Sequence, residues 1–293
     1  MMNALIFGAG GQDGFYLQQL CRELGIDAIG ISRSPGSDYI QGDVSEYDQV
    51  KGLVNYYHPT YIFHLAANST TRHSALFENH ATISIGTINI LECVKNQSPD
   101  TKVFIAGSGV QFKNTGQPIA EKDEFEASSV YSVARIHSVY AARYYRSLGI
   151  RAYVGYLFHH ESPRRKSGHI AKMISLAAQH SSAEGAEKIK LGDISVRKEW
   201  AFAGDIVRGI LTLVNQDDVF EAAIGTGDAF SIEDWLEQCF GLVGKDWREH
   251  VDLCQGFTPE YHCLVSNPKT IQSLGWVPAV GFSELASMMM AGT

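Results

Sequence analysis

Tyr131 and Arg135 stand four residues apart in a stretch whose pattern predicts a helix over 129–148, so phenol and guanidinium share one face. A tyrosine takes a proton near neutrality only if a phenol with an ordinary pKa near 10 is made more acidic, on the order of 4 kcal/mol of differential stabilisation. A neighbouring cation supplies part of that. Ser108, just past a predicted strand, is placed to hydrogen-bond a reacting oxygen. The competing reading of Tyr131 is an ordinary aromatic on an amphipathic helix.

A second constellation lies near the start. Gly8, Gly11 and Gly14 follow one another at GxxGxxG spacing, after an apolar run and before a helical pattern. Missing side chains let backbone approach a pyrophosphate, and a helix N-terminus offers amide donors and a positive dipole end. A glycine-rich turn needing positive φ is the plainer alternative. Strand before, helix after and βαβ rhythm beyond favour dinucleotide binding. At the end of the second predicted strand, where an acid would accept from a ribose 2′-hydroxyl, the sequence reads Ile31-Ser32-Arg33-Ser34. Arg33 suits a 2′-phosphate, which favours NADP over NAD; a solvated surface arginine is the other reading. Asp43 is placed either to meet the adenine edge or to cap the following helix.

The elements that must position these residues alternate. Asn3–Phe7, Asp27–Ile31, Tyr61–Leu65, Lys102–Ala106 and Arg151–Phe158 read as buried strands. Between them, Asp13–Leu24, Ser45–Tyr57, Asn79–Asn96 and Ser129–Leu148 read as helices. Such alternation predicts an α/β fold, a doubly wound Rossmann-type parallel sheet with helices on both faces. After about residue 160 the rhythm changes, Ser181–Glu187 reads as a polar loop, and Met288–Met290 as part of a packed terminal helix. We therefore expect a dinucleotide-binding domain over 1–160 and a smaller, partly interwoven substrate lobe over 161–293.

Composition excludes several classes. The 293 residues are 45% hydrophobic and 19% charged, enough for a packed core and unlike a disordered or fibrous chain. A net charge of −8 argues against nucleic acid as a partner. No apolar run approaches the roughly 18 residues of a membrane span, and Met1–Phe7 is too short for an export signal. Five scattered cysteines without a CxxC suggest neither disulfides nor zinc, so a cytoplasmic location is expected. His159 and His160 are adjacent on an extended segment and point to opposite faces, so no metal is expected there.

GAGGQDGFYL (8–17), FHLAANS (63–69), YSVAR (131–135), LFHHESPRR (157–165), LGDISVRKEWAFAGDIV (191–207) and LGWVP (274–278) together resemble the extended short-chain dehydrogenase/reductases. Within them the chain is similar to the GDP-mannose 4,6-dehydratase group, over nearly its whole length. Ser108, Tyr131 and Arg135 fall on the family's Ser/Thr, Tyr and Lys. The resemblance implies a cofactor set of Gly8, Gly11, Gln12, Asp13, Gly14, Arg33, Asp43, Val44, Leu65, Ala66 and Ala67. It implies a sugar-nucleotide set of Asn68, His159, Glu161, Arg164, Arg165, Lys198 and Glu260, with the arginines and Lys198 as phosphate clamps.

Three departures qualify the activity that the resemblance implies. The family's lysine is Arg135, which keeps the charge but differs in reach and shape. The dehydratase glutamate two positions after the catalytic hydroxyl is Val110, and valine moves no proton; Glu121 and Glu161 are the conceivable replacements. A phosphate-binding arginine of the family aligns with Phe257. The short loop Ser34–Asp38 replaces the family's arginine-rich insertion and, with PTYIFHLAANST (59–70), resembles the 4-keto-6-deoxy-GDP-mannose reductases. The expectation is therefore an NADP-dependent enzyme transferring hydride at C4 of a nucleotide-linked hexose, by 4-keto reduction or oxidation rather than full 4,6-dehydration. Two alternatives stand beside it: a true 4,6-dehydratase with a displaced acid, and a non-catalytic cofactor-binding homologue. Helices 79–96 and 129–148 offer a homodimer surface.

Overall fold

The computed structural model describes residues 2–36, 38–182, 187–254 and 256–292; Ser37 and residues 183–186 of the expected loops lie outside the described residues. The first half runs β1 (Asn3–Phe7), α1 (Gln12–Glu23), β2 (Asp27–Ser32), β3 (Ile40–Gln41), α2 (Tyr47–Tyr57) and β4 (Tyr61–His64). A continuous helical stretch follows, with α3 (Leu76–Asn79), a π-helical turn over His80–Ile85, and α4 (Gly86–Gln97). Next come β5 (Lys102–Ser108), α5 (Val130–Ser147) and β6 (Ala152–Leu157).

Seven strands form one parallel sheet in the order β11-β6-β5-β4-β1-β2-β3, its seventh being β11 (Glu221–Ile224). The central strands are buried on both faces, which is why they read as unbroken apolar runs rather than alternating ones. Strand order reverses between β1 and β4, and this switch point opens a crevice at their carboxyl ends.

Between β6 and β11 the chain passes through β7 (His160–Glu161), α6 (Ile170–His180), β8 (Ile189–Leu191), β9 (Arg197–Glu199), β10 (Ala201–Phe202) and α7 (Ala203–Val214). Beyond β11 come β12 (Ala229–Ser231), α8 (Ile232–Gly241), β13 (Val251–Leu253), β14 (Cys263–Leu264), α9 (Lys269–Ser273) and α10 (Phe282–Ala291). Helices α2, α4 and α5 cover one face of the sheet, and α1 and α7 the other. Residues 203–224, from the second half of the chain, thus complete the sheet and one of its helical layers. A third apolar cluster joins α6, α8 and α10 around Trp200 and Trp235, stacked at 4.5 Å.

Two carboxylates, one half-buried and one fully buried, fasten these layers. Glu221 accepts from Arg143, Arg146 and the Tyr156 hydroxyl; burial alone would raise its pKa, but these donors hold it at about 2. Asp205, in the first turn of α7, is fully buried and accepts from the backbone N–H of Ala279 at 2.9 Å and of Val280 at 2.8 Å. Removing that carboxylate orphans two amides. Asp205→Ala should therefore destabilise the fold by about 2–4 kcal/mol in denaturant unfolding, and an unchanged midpoint would show that the C-terminal segment is held otherwise.

Candidate functional site

The crevice between β1 and β4 is a cleft of about 550 Å³. Gly8 has φ +93°, and a Cβ there would sit 2.7 Å from the backbone nitrogen of Ala66. A Cβ on Gly14 would run into the Gly8 carbonyl. These two glycines are required by backbone packing. Gly11 is different: it begins α1 without any side-chain cap, so the first-turn N–H groups stay open to the cleft. Leu65, Ala66 and Ala67 line the facing wall and Val44 the floor, together with Asn68.

Gln12 and Asp13 also line the cleft, yet their side chains are engaged elsewhere. The Gln12 amide donates to the His160 carbonyl at 3.2 Å and accepts from Ser162 Oγ at 2.9 Å. His160 Nε2 meets Asp13 Oδ1 at 2.9 Å while its Nδ1 meets the Phe158 carbonyl at 2.7 Å. Both ring nitrogens face acceptors, which requires an imidazolium. Burial opposes that charge, but the Asp13 carboxylate outweighs it and raises the His160 pKa; His160 in turn keeps Asp13 below its usual range against burial. The two side chains dock segment 160–162 onto the start of α1, and both residues remain in the lining of the cleft.

At the far end of the cleft, Arg33 is exposed and paired with Glu78 at 2.9 Å, and Glu78 also accepts from Asn68 at 2.8 Å. Both readings of Arg33 meet here, a surface arginine that nonetheless lines the cleft. Asp43 accepts from the N–H and hydroxyl of Ser45 at 2.9 and 2.8 Å, a turn leading into α2. Glu260 is exposed and bonded by the Thr71 hydroxyl.

Ser108 ends β5, and its N–H donates to Gln111 Oε1 at 2.8 Å. Tyr131 lies in the first turn of α5, whose N-cap Ser129 accepts from the Ser132 N–H. Arg135 is only 4% exposed; one amino group donates to the Ala106 carbonyl, and its guanidinium carbon stands 5.0 Å from the centre of the Tyr131 ring. The cation thus lies over the ring face. Its Nε has no partner and it forms no carboxylate pair among the described residues. The fully buried His64 faces the same region; burial first, then the Arg135 charge, pushes its pKa to about 4, so the ring is neutral. His64, Thr87 and Ser138 all bond the Ile83 carbonyl inside the π-helical turn. Such turns concentrate at functional sites.

The remaining expected residues form a buried charge cluster. Glu161, 1% exposed, pairs with Arg165 at 2.6 Å and with His159 at 2.9 Å. Burial would raise its pKa, but His159, Arg165 and Lys198 bring it to about 2. His159 Nδ1 also faces the Glu199 carbonyl at 2.7 Å, while burial first, and then the Lys198 charge, lowers the His159 pKa to about 4. Lys198 is buried beside Trp200, and burial lowers its pKa to about 8 against the pull of Glu161. Glu161 and Lys198 are both buried, and neither is among the residues that line the cleft. Arg164 and Arg165 do line it, joined by Lys166 and His169. Val110 is partly buried against the sheet core, and Glu121 accepts from the Ala223 N–H.

Sequence reasoning missed Glu78, His64, Phe15 and the role of His160. The His-Glu pair at 159 and 161 and the Arg165–Glu161 spacing of four were visible signals; Asp13 and His160 are 147 positions apart and were not. A raised His160 pKa contributes stability that is complete below the ordinary imidazole value near 6.5 and is lost as pH rises through the folded value. The stability advantage of the native protein over His160→Gln, read as a difference in Tm, should accordingly shrink as the pH is raised above about 6.5. A constant difference would remove the ion pair.

The family model for GDP-mannose 4,6 dehydratase matches residues 5–289. GDP-mannose 4,6 dehydratase 1 of Arabidopsis thaliana is 27% identical over 98% of this chain and 88% of its own length. The Homo sapiens GDP-mannose 4,6 dehydratase is 27% identical over 98% of this chain and 90% of its own. Among solved structures, a UDP-glucose 4-epimerase of Thermotoga maritima with UDP-glucose has a TM-score of 0.89 at 17% identity, covering 99% of this chain and 98% of that one. A dTDP-glucose 4,6-dehydratase of Bacillus anthracis in complex with NAD has 0.87 at 17%, covering 100% and 96%. These two share the fold. With the match extending over almost every residue, the chain belongs to the GDP-mannose 4,6-dehydratase family of nucleotide-sugar enzymes.

Proposed function

We propose that the protein is an NADP-dependent enzyme acting at C4 of a nucleotide-linked hexose, GDP-linked by family, and that it reduces a 4-keto group or oxidises the alcohol rather than completing 4,6-dehydration. The observation that carries this is the pairing of Ser108, Tyr131 and buried Arg135 with Val110 where the dehydratases have an acid. Glu121 and Glu161, the conceivable replacements, are both occupied.

A dinucleotide fits the cleft on three counts: open amides at the start of α1, backbone contact at Gly8 that leaves no bulk over them, and a lining richer in cations than in anions. Gly8, Gly11, Gly14 and the 65–67 wall would hold it, with Arg33 at the 2′-phosphate, which is what favours NADP. When bound, its nicotinamide supplies or accepts the hydride. Tyr131 exchanges the proton with the C4 oxygen, and Ser108 donates a hydrogen bond to the same oxygen. Arg135 places a buried positive charge beside the ring on which negative charge develops. A second reading, a cofactor-binding homologue without turnover, draws on the departures at Val110, Arg135 and Phe257.

Incubation with NADP(H) and a panel of nucleotide hexoses and their 4-keto-6-deoxy forms separates these by mass spectrometry. A change of two hydrogens is expected; loss of water from the intact hexose would overturn the preference, and no change with any sugar would favour the second reading. Tyr131→Phe should lower kcat roughly 10²–10⁴-fold while leaving cofactor Kd within about twofold; retained turnover would remove Tyr131 from its role.

A homodimer through the helices of residues 76–97 and 130–147 is part of the same proposal. Phe77, Val133, Tyr140 and Tyr144 are exposed on these helices, Phe77 at 85%, and the last three share one face of α5. Tyr140→Glu combined with Tyr144→Glu should shift the sedimenting species from dimer to monomer; an unchanged species would place any interface elsewhere.

A further inference from the structure

We propose that Arg164 grips the cofactor's pyrophosphate, so that the dinucleotide is closed in by a cation delivered from the loop that the family resemblance assigns to the sugar nucleotide. The proposal rests on the reading of the cleft as a dinucleotide site.

Four contacts bring residues 160–164 onto the first turn of α1. Three are the bonds of Gln12 and Asp13 with His160 and Ser162. The fourth is the Arg164 guanidinium, whose central carbon stands 3.8 Å from the centre of the Phe15 ring. Phe15 belongs to the same first turn that leaves its amides open, and its ring holds the guanidinium over the helix start by cation–π attraction. Arg164 is exposed, lines the cleft and has no carboxylate partner among the described residues. Its neighbour differs: Arg165 is spent on Glu161 and the His160 carbonyl. Consecutive arginines have thus divided their tasks, one fixing the loop and the other left with its donors free at the place where an anionic group meets a helix N-terminus. Asp13, the one carboxylate lining the cleft among the described residues, is already neutralised by His160.

The test is binding, independent of turnover. Kd values of the native protein, Arg164→Gln and Phe15→Leu are measured by calorimetry for NADP⁺, NAD⁺ and GDP. A guanidinium on the pyrophosphate predicts that Arg164→Gln weakens NADP⁺ and NAD⁺ by the same factor, roughly tenfold or more, and leaves GDP unchanged. Phe15→Leu should move both dinucleotides in the same direction by a smaller factor. Loss confined to NADP⁺ would put Arg164 on the 2′-phosphate, and loss confined to GDP would put it on the sugar nucleotide; either result overturns the proposal, as does no loss. A native protein that binds neither dinucleotide would bring down the reading of the cleft itself, and a separable failure is seen when the native protein binds both and Arg164→Gln binds them equally well.

Discussion

The contact between segment 160–164 and the first turn of α1 is the constraint on which the rest of the site depends. It joins the turn after β1 to the chain leaving β6, two places on opposite sides of the switch point that sequence separates by about half the molecule. Hydrogen bonds to charged groups contribute about 1.5–3 kcal/mol when shielded, and the Asp13–His160 pair is of that kind. The Arg33–Glu78 pair at the other end is half exposed, where such pairs contribute about 0–1 kcal/mol. The near end of the cleft is therefore fixed in place, and the far end can exchange Glu78 for another anion at little cost.

The same asymmetry runs through the electrostatics. The chain carries eight net negative charges, yet four arginines and lysines line the cleft against a single carboxylate. A low-dielectric crevice of that sign draws anions in preference to the rest of the surface. Deeper, Arg135 is buried with a carbonyl and an aromatic face in place of a counter-ion. An arrangement of this kind is costly in isolation. It becomes less so when negative charge arrives at the Tyr131 oxygen or on a bound ligand, which is the direction a proton-transferring site requires.

Local pattern made the first half of the fold legible. Every predicted strand and helix there lies within a few residues of its observed bounds, because buried parallel strands are unbroken apolar runs and helices such as α5 carry their own cap at Ser129. Two features left no local trace. The π-helical turn at His80–Ile85 is stabilised by His64, Thr87 and Ser138, side chains from three separate elements converging on one carbonyl. Strand β11 joins the sheet through Glu221, whose donors come from α5 and β6. In the site, glycine spacing and the Tyr131–Arg135 interval were readable, whereas burial was not. Glu161 and Lys198 look solvated in one dimension because a charged residue next to another ordinarily is; only packing shows that both are buried.

Under the proposed function, the number of protons to be moved separates reduction from dehydration. Reduction of a ketone at C4 needs one hydride at the carbon and one proton at its oxygen, and in the proposed function Tyr131 supplies the proton. Elimination across C5–C6 needs in addition a base for the C5 hydrogen and an acid for the departing hydroxyl, which a single carboxyl can serve in turn. In this chain Val110 packs into the core, Glu121 is bonded to the backbone of β11, and Glu161 is held ionised between cations with its oxygens turned to Arg165 and His159. Freeing Glu161 would take the carboxylate from Arg165 and from the buried Lys198 beside it, so a proton carried by Glu161 would be gained at the expense of the loop's own ion pairs.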